Sequence, residues 1–243
     1  MIEKKFGIIG KPLSHSLSPF LHNFWFKKYK IFAKYSLIEI EPDEIEGIIK
    51  KIKSEELHGI NVTVPYKQAV IPFLDLILNN AKQTSSVNTI NLNKEGKVVG
   101  NNTDVYGLEH GFIKQLDYQN LNHNSVLILG AGGVTPSVIY ALSTKGIKNV
   151  FISNRTIKKA EYIKKMFPFI KIVKWENLET VIGKMDIIIN ATSLGLKGGD
   201  NFKQEFKYIK PTLVYYDVIY NPEETLMIKK LKKRGIKTYN GLK

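Results

Sequence analysis

Ser125-Val126-Leu127-Ile128-Leu129-Gly130-Ala131-Gly132-Gly133 reads as a buried strand that runs into a glycine turn. Val126 to Leu129 is a short, unbroken apolar run, as a parallel strand covered on both faces requires. A helical pattern over Val134–Lys145 follows at once, with Pro136 in its first turn, where a missing N–H is tolerated. Strand, glycine turn and helix in that order bring backbone N–H groups and the positive end of a helix dipole to one point. That arrangement suits a pyrophosphate. Glycine turns are common and most bind nothing, so the neighbouring strands must carry the reading.

Working downstream, apolar runs at Val150–Ser153, Ile170–Lys174, Ile187–Asn190 and Leu213–Asp217 alternate with helical patterns. Such alternation builds βαβ units with right-handed crossovers, hence a Rossmann-type doubly wound parallel sheet. The end of the second strand selects the cofactor. An NAD site usually places an acid there to hold the ribose hydroxyls. Here the residues are Asn154, Arg155 and Thr156, with Lys158 and Lys159 behind them. A guanidinium and a hydroxyl suit a 2′-phosphate, so NADP is expected rather than NAD. Helix capping by Asn154 or Thr156 is compatible with that reading.

Upstream, a second α/β pattern precedes this one. Phe6–Ile9 is a strand candidate, followed by three hydroxyls, Ser14, Ser16 and Ser18. Ser18 before Pro19 has the form of an N-cap with proline at the first helical position, and the helix face would be Leu21, Phe24, Trp25 and Lys28. Strands are expected over Ala33–Ile40 and Gly59–Val64, with a helix from Pro42 to about Ser54 between them. Thr63 and Lys67 then fall where the third strand ends, the position at which α/β sheets place ligands. A hairpin with its turn at Gly96 spans Ile90–Val99. Thr103 is a candidate cap for a helix to about Leu116, with Asp104 in its first turn, where the dipole favours a carboxylate.

Composition narrows the function class. The formal charge is +14, but the lysines are spread along the chain, without a basic block interleaved with aromatics. They read as a solvated surface that attracts small anions, not as a nucleic-acid or membrane interface. There is no cysteine, which fits a reducing, cytoplasmic setting. The opening residues are broken by Gly7 and Gly10 too soon for a signal peptide, and no apolar run approaches a membrane span. The five histidines lack ligand spacing, so no metal site is expected, and His15 reads as a turn residue.

Taken together, the motifs resemble the shikimate dehydrogenase family. They are Ser14-His-Ser-Leu-Ser-Pro19 with His22-Asn23, Asn61-Val-Thr-Val-Pro-Tyr-Lys67, Ser86-Val-Asn-Thr89, Gly100-Asn-Asn-Thr-Asp104, Gly130-Ala-Gly-Gly133, Asn154-Arg-Thr156, Asn190-Ala-Thr-Ser193, and Asp217-Val-Ile-Tyr-Asn-Pro222 with Thr225. The resemblance implies an α/β fold of two domains. Residues 1–104 would be a substrate domain, 105–235 an NADP-binding Rossmann domain, and 236–243 the start of a segment returning to the first. It implies reversible, NADPH-dependent reduction of 3-dehydroshikimate to shikimate in the aromatic amino-acid pathway, by a monomer or homodimer.

By the same resemblance, Ser16 and Ser18 hold the substrate carboxylate. Thr63, Lys67, Asn88 and Asp104 hold ring hydroxyls, with Tyr220 nearby. Lys67 and Asp104 form the catalytic pair. Gly130, Ala131, Gly132, Gly133, Asn154, Arg155, Thr156 and Lys159 hold the cofactor, and Thr192, Val218 and Gly241 border its nicotinamide. Three features depart from the family pattern: Thr135-Pro136 in the helix entry, Ser86 where alanine is commoner, and an end at Lys243 where the family continues into a helix. Two other readings fit the same motifs, a quinate/shikimate dehydrogenase using NAD and a non-catalytic NADP-binding homologue.

Overall fold

The computed structural model describes residues 2–14, 16–116 and 122–242; His15 lies outside them. Contacts divide the chain into two compact units, Met1–Thr103 and Asp104–Lys243.

The first unit is a six-stranded mixed sheet built from β1 (Lys4–Gly10), β2 (Ala33–Glu39), β3 (Gly59–Val62), β4 (Leu76–Ile77), β5 (Thr89–Leu92) and β6 (Val98–Asn101), in the order β2-β1-β3-β5-β6-β4. β1 pairs in parallel with β2 and β3, whereas β5 runs antiparallel to β3 and β6. The expected hairpin is β5 and β6, with Gly96 at φ +73° in its turn. On one face, Ile45, Ile48, Ile49 and Ile52 of α2 (Ile45–Lys53) pack with Ile9, Ile60, Val62 and Ile90. The apolar spacing of α2 puts all four isoleucines on one side.

α1 (Ser18–Lys28) corrects two sequence expectations. The cap position is Leu17, and Ser18 is already helical, so Pro19 falls second. The inward face is His22, Asn23 and Phe26, not Leu21, Phe24 and Trp25, which are exposed. The reason lies in β2, which is an edge strand. An edge leaves backbone groups unpaired. The Asn23 amide donates to the Tyr35 carbonyl and accepts the Tyr35 N–H, each at 2.9 Å, and so fixes the helix rotation.

The second unit is a wholly parallel sheet of β7 (Val126–Leu129), β8 (Val150–Ser153), β9 (Lys171–Ile172), β10 (Ile187–Asn190), β11 (Val214–Asp217) and β12 (Lys237–Asn240). Its order is β12-β11-β10-β7-β8-β9, the doubly wound arrangement, with the switch point between β7 and β10. Alternation along β7 fills both layers. Val126 and Ile128 pack with α4 (Asp104–Gly111), α5 (Thr135–Thr144) and α6 (Ile157–Met166), while Leu127 and Leu129 face α7 (Leu178–Ile182) and α8 (Leu226–Lys233). The helix expected to run on to Leu116 ends at Gly111, and a 3-10 turn over Ile113–Gln115 follows. The segment from residue 236, expected to leave for the first unit, pairs through Lys237–Asn240 as the sheet's outer strand.

Candidate active site

In the first unit the topology brings Ser16, Ser18, Thr63, Lys67 and Asn88, of the predicted substrate residues, to one end of the sheet; Asp104 and Tyr220 belong to the second unit. The C-terminal ends of β1, β3 and β6 lie with the N-terminal end of β5, because Ile9 registers with Val62, Asn61 with Thr89, and Thr89 with Asn101. The loops beyond them are tied together: Lys11 N–H donates to the Val64 carbonyl at 3.1 Å, and Thr63 N–H to the Ile9 carbonyl at 2.9 Å. The Lys67 carbonyl accepts the Val87 N–H at 2.8 Å, which sets Lys67 beside the segment that carries Asn88. Thr63 and Lys67 are half-buried, as are Ser16 and Ser18.

The hydroxyls and amides here are cross-linked. The Ser16 hydroxyl accepts the Ser18 N–H at 3.4 Å. The Tyr35 phenol donates to Asn61 Oδ1 at 2.6 Å, and the Asn61 amide donates in turn to the Asn88 carbonyl and the Thr89 hydroxyl, both at 3.2 Å. Burial pushes the Tyr35 phenol well above its ordinary range, and a hydrogen bond with the Ser18 side chain opposes this. His22 stacks on Tyr35 with ring centroids 4.2 Å apart, and burial lowers its pKa. Asn88 Oδ1 accepts the Thr103 N–H at 2.9 Å and the Thr89 hydroxyl at 3.0 Å. Asn61 and Tyr35 therefore organise this end of the sheet; the sequence motif contained Asn61 but gave it no task, and Tyr35 carried no signal.

In the second unit the glycine turn has the expected form. Gly130 has φ +108°, and a Cβ there would lie 2.7 Å from the Ala191 carbonyl oxygen, so β7 and β10 approach at this point only through glycine. Around Gly132 a Cβ would meet nothing closer than 4.0 Å, which leaves the backbone open to a ligand. α5 starts at Thr135, whose buried hydroxyl donates to the Gly130 carbonyl at 3.1 Å, so Thr135-Pro136 locks the helix entry. The Ala131 N–H is directed to Asn154 Oδ1 at 3.1 Å. Arg155 and Thr156 are exposed just beyond β8, and Lys159 is exposed in the first turn of α6; Thr156 occupies the cap position of α6 without a side-chain capping bond. An open glycine turn, a helix N-terminus and a basic, hydroxyl-bearing strand end are the donor set that a 2′-phosphorylated dinucleotide needs, so the residues fit NADP.

Thr192 and Val218 follow β10 and β11, on the far side of the switch point. Gly241 backs onto Val218: a Cβ there would lie 2.6 Å from the Val218 carbonyl oxygen. Tyr220 is exposed on the next loop. Asp104 opens α4 in its first turn, as the dipole favours. Burial, then the negative charges of Asp217 and Asp104, push the Tyr216 phenol up to about 12. Among the described residues no group of acidic side chains and histidines has the form of a metal site, and no helix is long and apolar enough to cross a membrane.

A parallel sheet with an open glycine turn at its switch point, and a mixed sheet with polar side chains gathered at one end of its strands, define a two-domain dinucleotide-binding protein with its own substrate unit. The comparisons give this class a family. Residues 8–90 match the shikimate dehydrogenase substrate binding domain, and 113–196 match shikimate / quinate 5-dehydrogenase. A shikimate dehydrogenase (NADP+) of Pelagibacter ubique is 46% identical over 240 residues, covering 99% of this chain and 88% of that one. The crystal structure of shikimate dehydrogenase from Aquifex aeolicus superposes with a TM-score of 0.88 at 39% identity, covering 100% of this chain and 89% of that one. The Thermus thermophilus enzyme in complex with NADP(H) and shikimate gives 0.85 at 27% identity, covering 98% and 87%. The chain belongs to the shikimate dehydrogenase family, as its motifs implied.

Proposed function

We propose that this protein is an NADP-dependent shikimate dehydrogenase that interconverts 3-dehydroshikimate and shikimate. The observation that carries the reading is the polar end of the first sheet, where Ser16, Ser18, Thr63, Lys67 and Asn88 come to the same strand ends. Small hydroxyls and amides suit a ring that carries a carboxylate and hydroxyls. Such a site rejects analogues that leave its polar groups unpaired.

When bound, NADPH supplies the hydride that reduces the ring carbonyl carbon. The carbonyl oxygen gains negative charge as that happens, and the Lys67 ammonium is assigned to stabilise it and deliver a proton, completing the hydroxyl. Lys67 then regains its proton from solvent. Asp104 is assigned as the carboxylate that accepts a ring hydroxyl. Ser16 and Ser18 hold the substrate carboxylate, and Thr63, Asn88 and Tyr220 orient the ring. Gly130, Gly132, Gly133 and the start of α5 take the pyrophosphate, Arg155, Thr156 and Lys159 the 2′-phosphate, and Thr192, Val218 and Gly241 the nicotinamide end. Asn154, and Ala131 through it, shape the turn.

A cytoplasmic setting, as monomer or homodimer, is consistent with a cysteine-free chain whose lysines are dispersed. The test is a spectrophotometric assay with shikimate and quinate, each paired with NADP and NAD. Turnover of shikimate with NADP above the other three pairings is expected. Preference for quinate or NAD would reassign the enzyme, and no turnover in any pairing would leave only a binding protein.

A further inference from the structure

We infer that Asp217 is a positioning residue, whose buried carboxylate holds the loops after β10 and β11 in the geometry that receives the nicotinamide end of the cofactor. The inference rests on the cofactor placement proposed above. Asp217, Asn190 and Thr225 are almost wholly buried. Asp217 Oδ1 accepts the Ile219 N–H at 3.1 Å, and Oδ2 accepts the Thr225 hydroxyl at 2.9 Å. One carboxylate thus pins both ends of the loop that carries Tyr220.

The same Oδ1 accepts the Asn190 amide at 3.0 Å, and the amide's second donor bond goes to the Leu194 carbonyl at 3.0 Å. Asn190 Oδ1 accepts both the Thr192 N–H, at 3.0 Å, and the Thr192 hydroxyl, at 2.6 Å. Leu194 N–H closes the loop onto the Thr192 hydroxyl at 3.0 Å. Every donor and acceptor position of the Asn190 side chain is therefore filled, which fixes its orientation. The relay runs from Thr225 through Asp217 and Asn190 to Thr192, the half-buried residue at its open end. The loops also meet directly: a Cβ on Gly195 would lie 3.1 Å from Thr225. A fully satisfied buried network of this kind specifies one arrangement, and losing a member leaves its neighbours unpaired.

The test compares Thr225→Val, which at nearly equal volume removes both the donor to Asp217 and the cap on the Ile228 N–H of α8, with Thr225→Ser, which keeps both, and with Asp217→Asn, which leaves the cap in place. NADPH and adenosine 2′,5′-bisphosphate, which lacks the nicotinamide half, are titrated against each folded protein, and amide exchange is followed in the free proteins. In Thr225→Val and Asp217→Asn, NADPH is expected to bind tenfold or more weakly while the bisphosphate binds as to wild type, with faster exchange at Thr192, Leu194 and Ile219. Thr225→Ser should match wild type throughout. Should Asp217→Asn fail to fold, the threonine pair decides. Unchanged NADPH binding in Thr225→Val, or equal loss of both ligands, overturns the inference. Failure of the bisphosphate to bind wild type would instead overturn the cofactor placement itself, and the inference with it.

Discussion

Asn154 Oδ1 accepts the Ala131 N–H at 3.1 Å, which joins the glycine turn after β7 to the end of β8. The same amide donates to the Thr156 carbonyl at 2.9 Å. One side chain thus sets the distance between the glycine turn and the basic residues beyond it. Replacing Asn154 with alanine removes both bonds, at a cost of about 1 kcal/mol each when the groups can rehydrate. The Michaelis constant for NADP is expected to rise roughly tenfold, with that for shikimate unchanged. An unchanged NADP constant would remove Asn154 from the site.

Arg155 is the residue to which the proposed function assigns the cofactor preference. Its side chain is exposed beside Thr156, where an NAD site would carry an acid. A charge-assisted bond to a 2′-phosphate contributes about 1.5–3 kcal/mol. Arg155→Ala should therefore weaken NADPH by roughly tenfold to a hundredfold while changing NADH little. Equal losses for the two cofactors, measured by fluorescence titration, would refute the 2′-phosphate assignment.

The glycine turn was legible because its grammar is local: an apolar run, three glycines and a helical pattern within twenty residues of chain. Asn154-Arg155-Thr156 is equally local and points to NADP, the cofactor named for the chain's relatives. What could not be read were partnerships between distant strands. Asn190 and Asp217 looked like strand ends in separate motifs, and only the parallel register of β10 with β11 puts one beside the other. The rotation of α1 was misread for the same reason. Its apolar pattern pointed to Leu21, Phe24 and Trp25, but the edge of β2 needed Asn23, and tertiary demand overrode the pattern. β12 lacked a strong signal because Lys237–Asn240 is an outer strand with no fully buried residue.

Gly130 tests the turn itself. At φ +108° an alanine is strained, and its Cβ would press on the Ala191 backbone. Strain of this kind costs about 1–3 kcal/mol before the clash is counted. Gly130→Ala should lower the melting temperature by several degrees and abolish measurable NADPH binding. An alanine variant with wild-type melting and affinity would mean that the backbone here is not held as described.

Lys67 is assigned the proton transfer, so its removal should separate chemistry from cofactor binding. General acid catalysis contributes about 10²–10⁴-fold. Lys67→Ala should lose turnover within that range and bind NADPH as wild type does. Full turnover in the variant would end the assignment.

Asp217 gives the fold a pH dependence whose sign is opposite to that of most aspartates. Burial, opposed by its hydrogen bonds from Ile219, Asn190, Thr225 and Tyr215, pushes the carboxyl from 3.8 up to about 6. The folded chain therefore holds this proton more tightly than the unfolded chain. The stabilisation from proton binding is complete below the unfolded value and is lost as pH rises through the folded one. A shift of about two units corresponds to roughly 3 kcal/mol, gone by about pH 6.5. Asparagine cannot titrate, so the unfolding free energy of wild type, measured in urea and referred to that of Asp217→Asn, should fall between about pH 4 and pH 6.5 and then level off. A difference that rises with pH would mean that the hydrogen bonds outweigh burial and hold the carboxylate below its ordinary range.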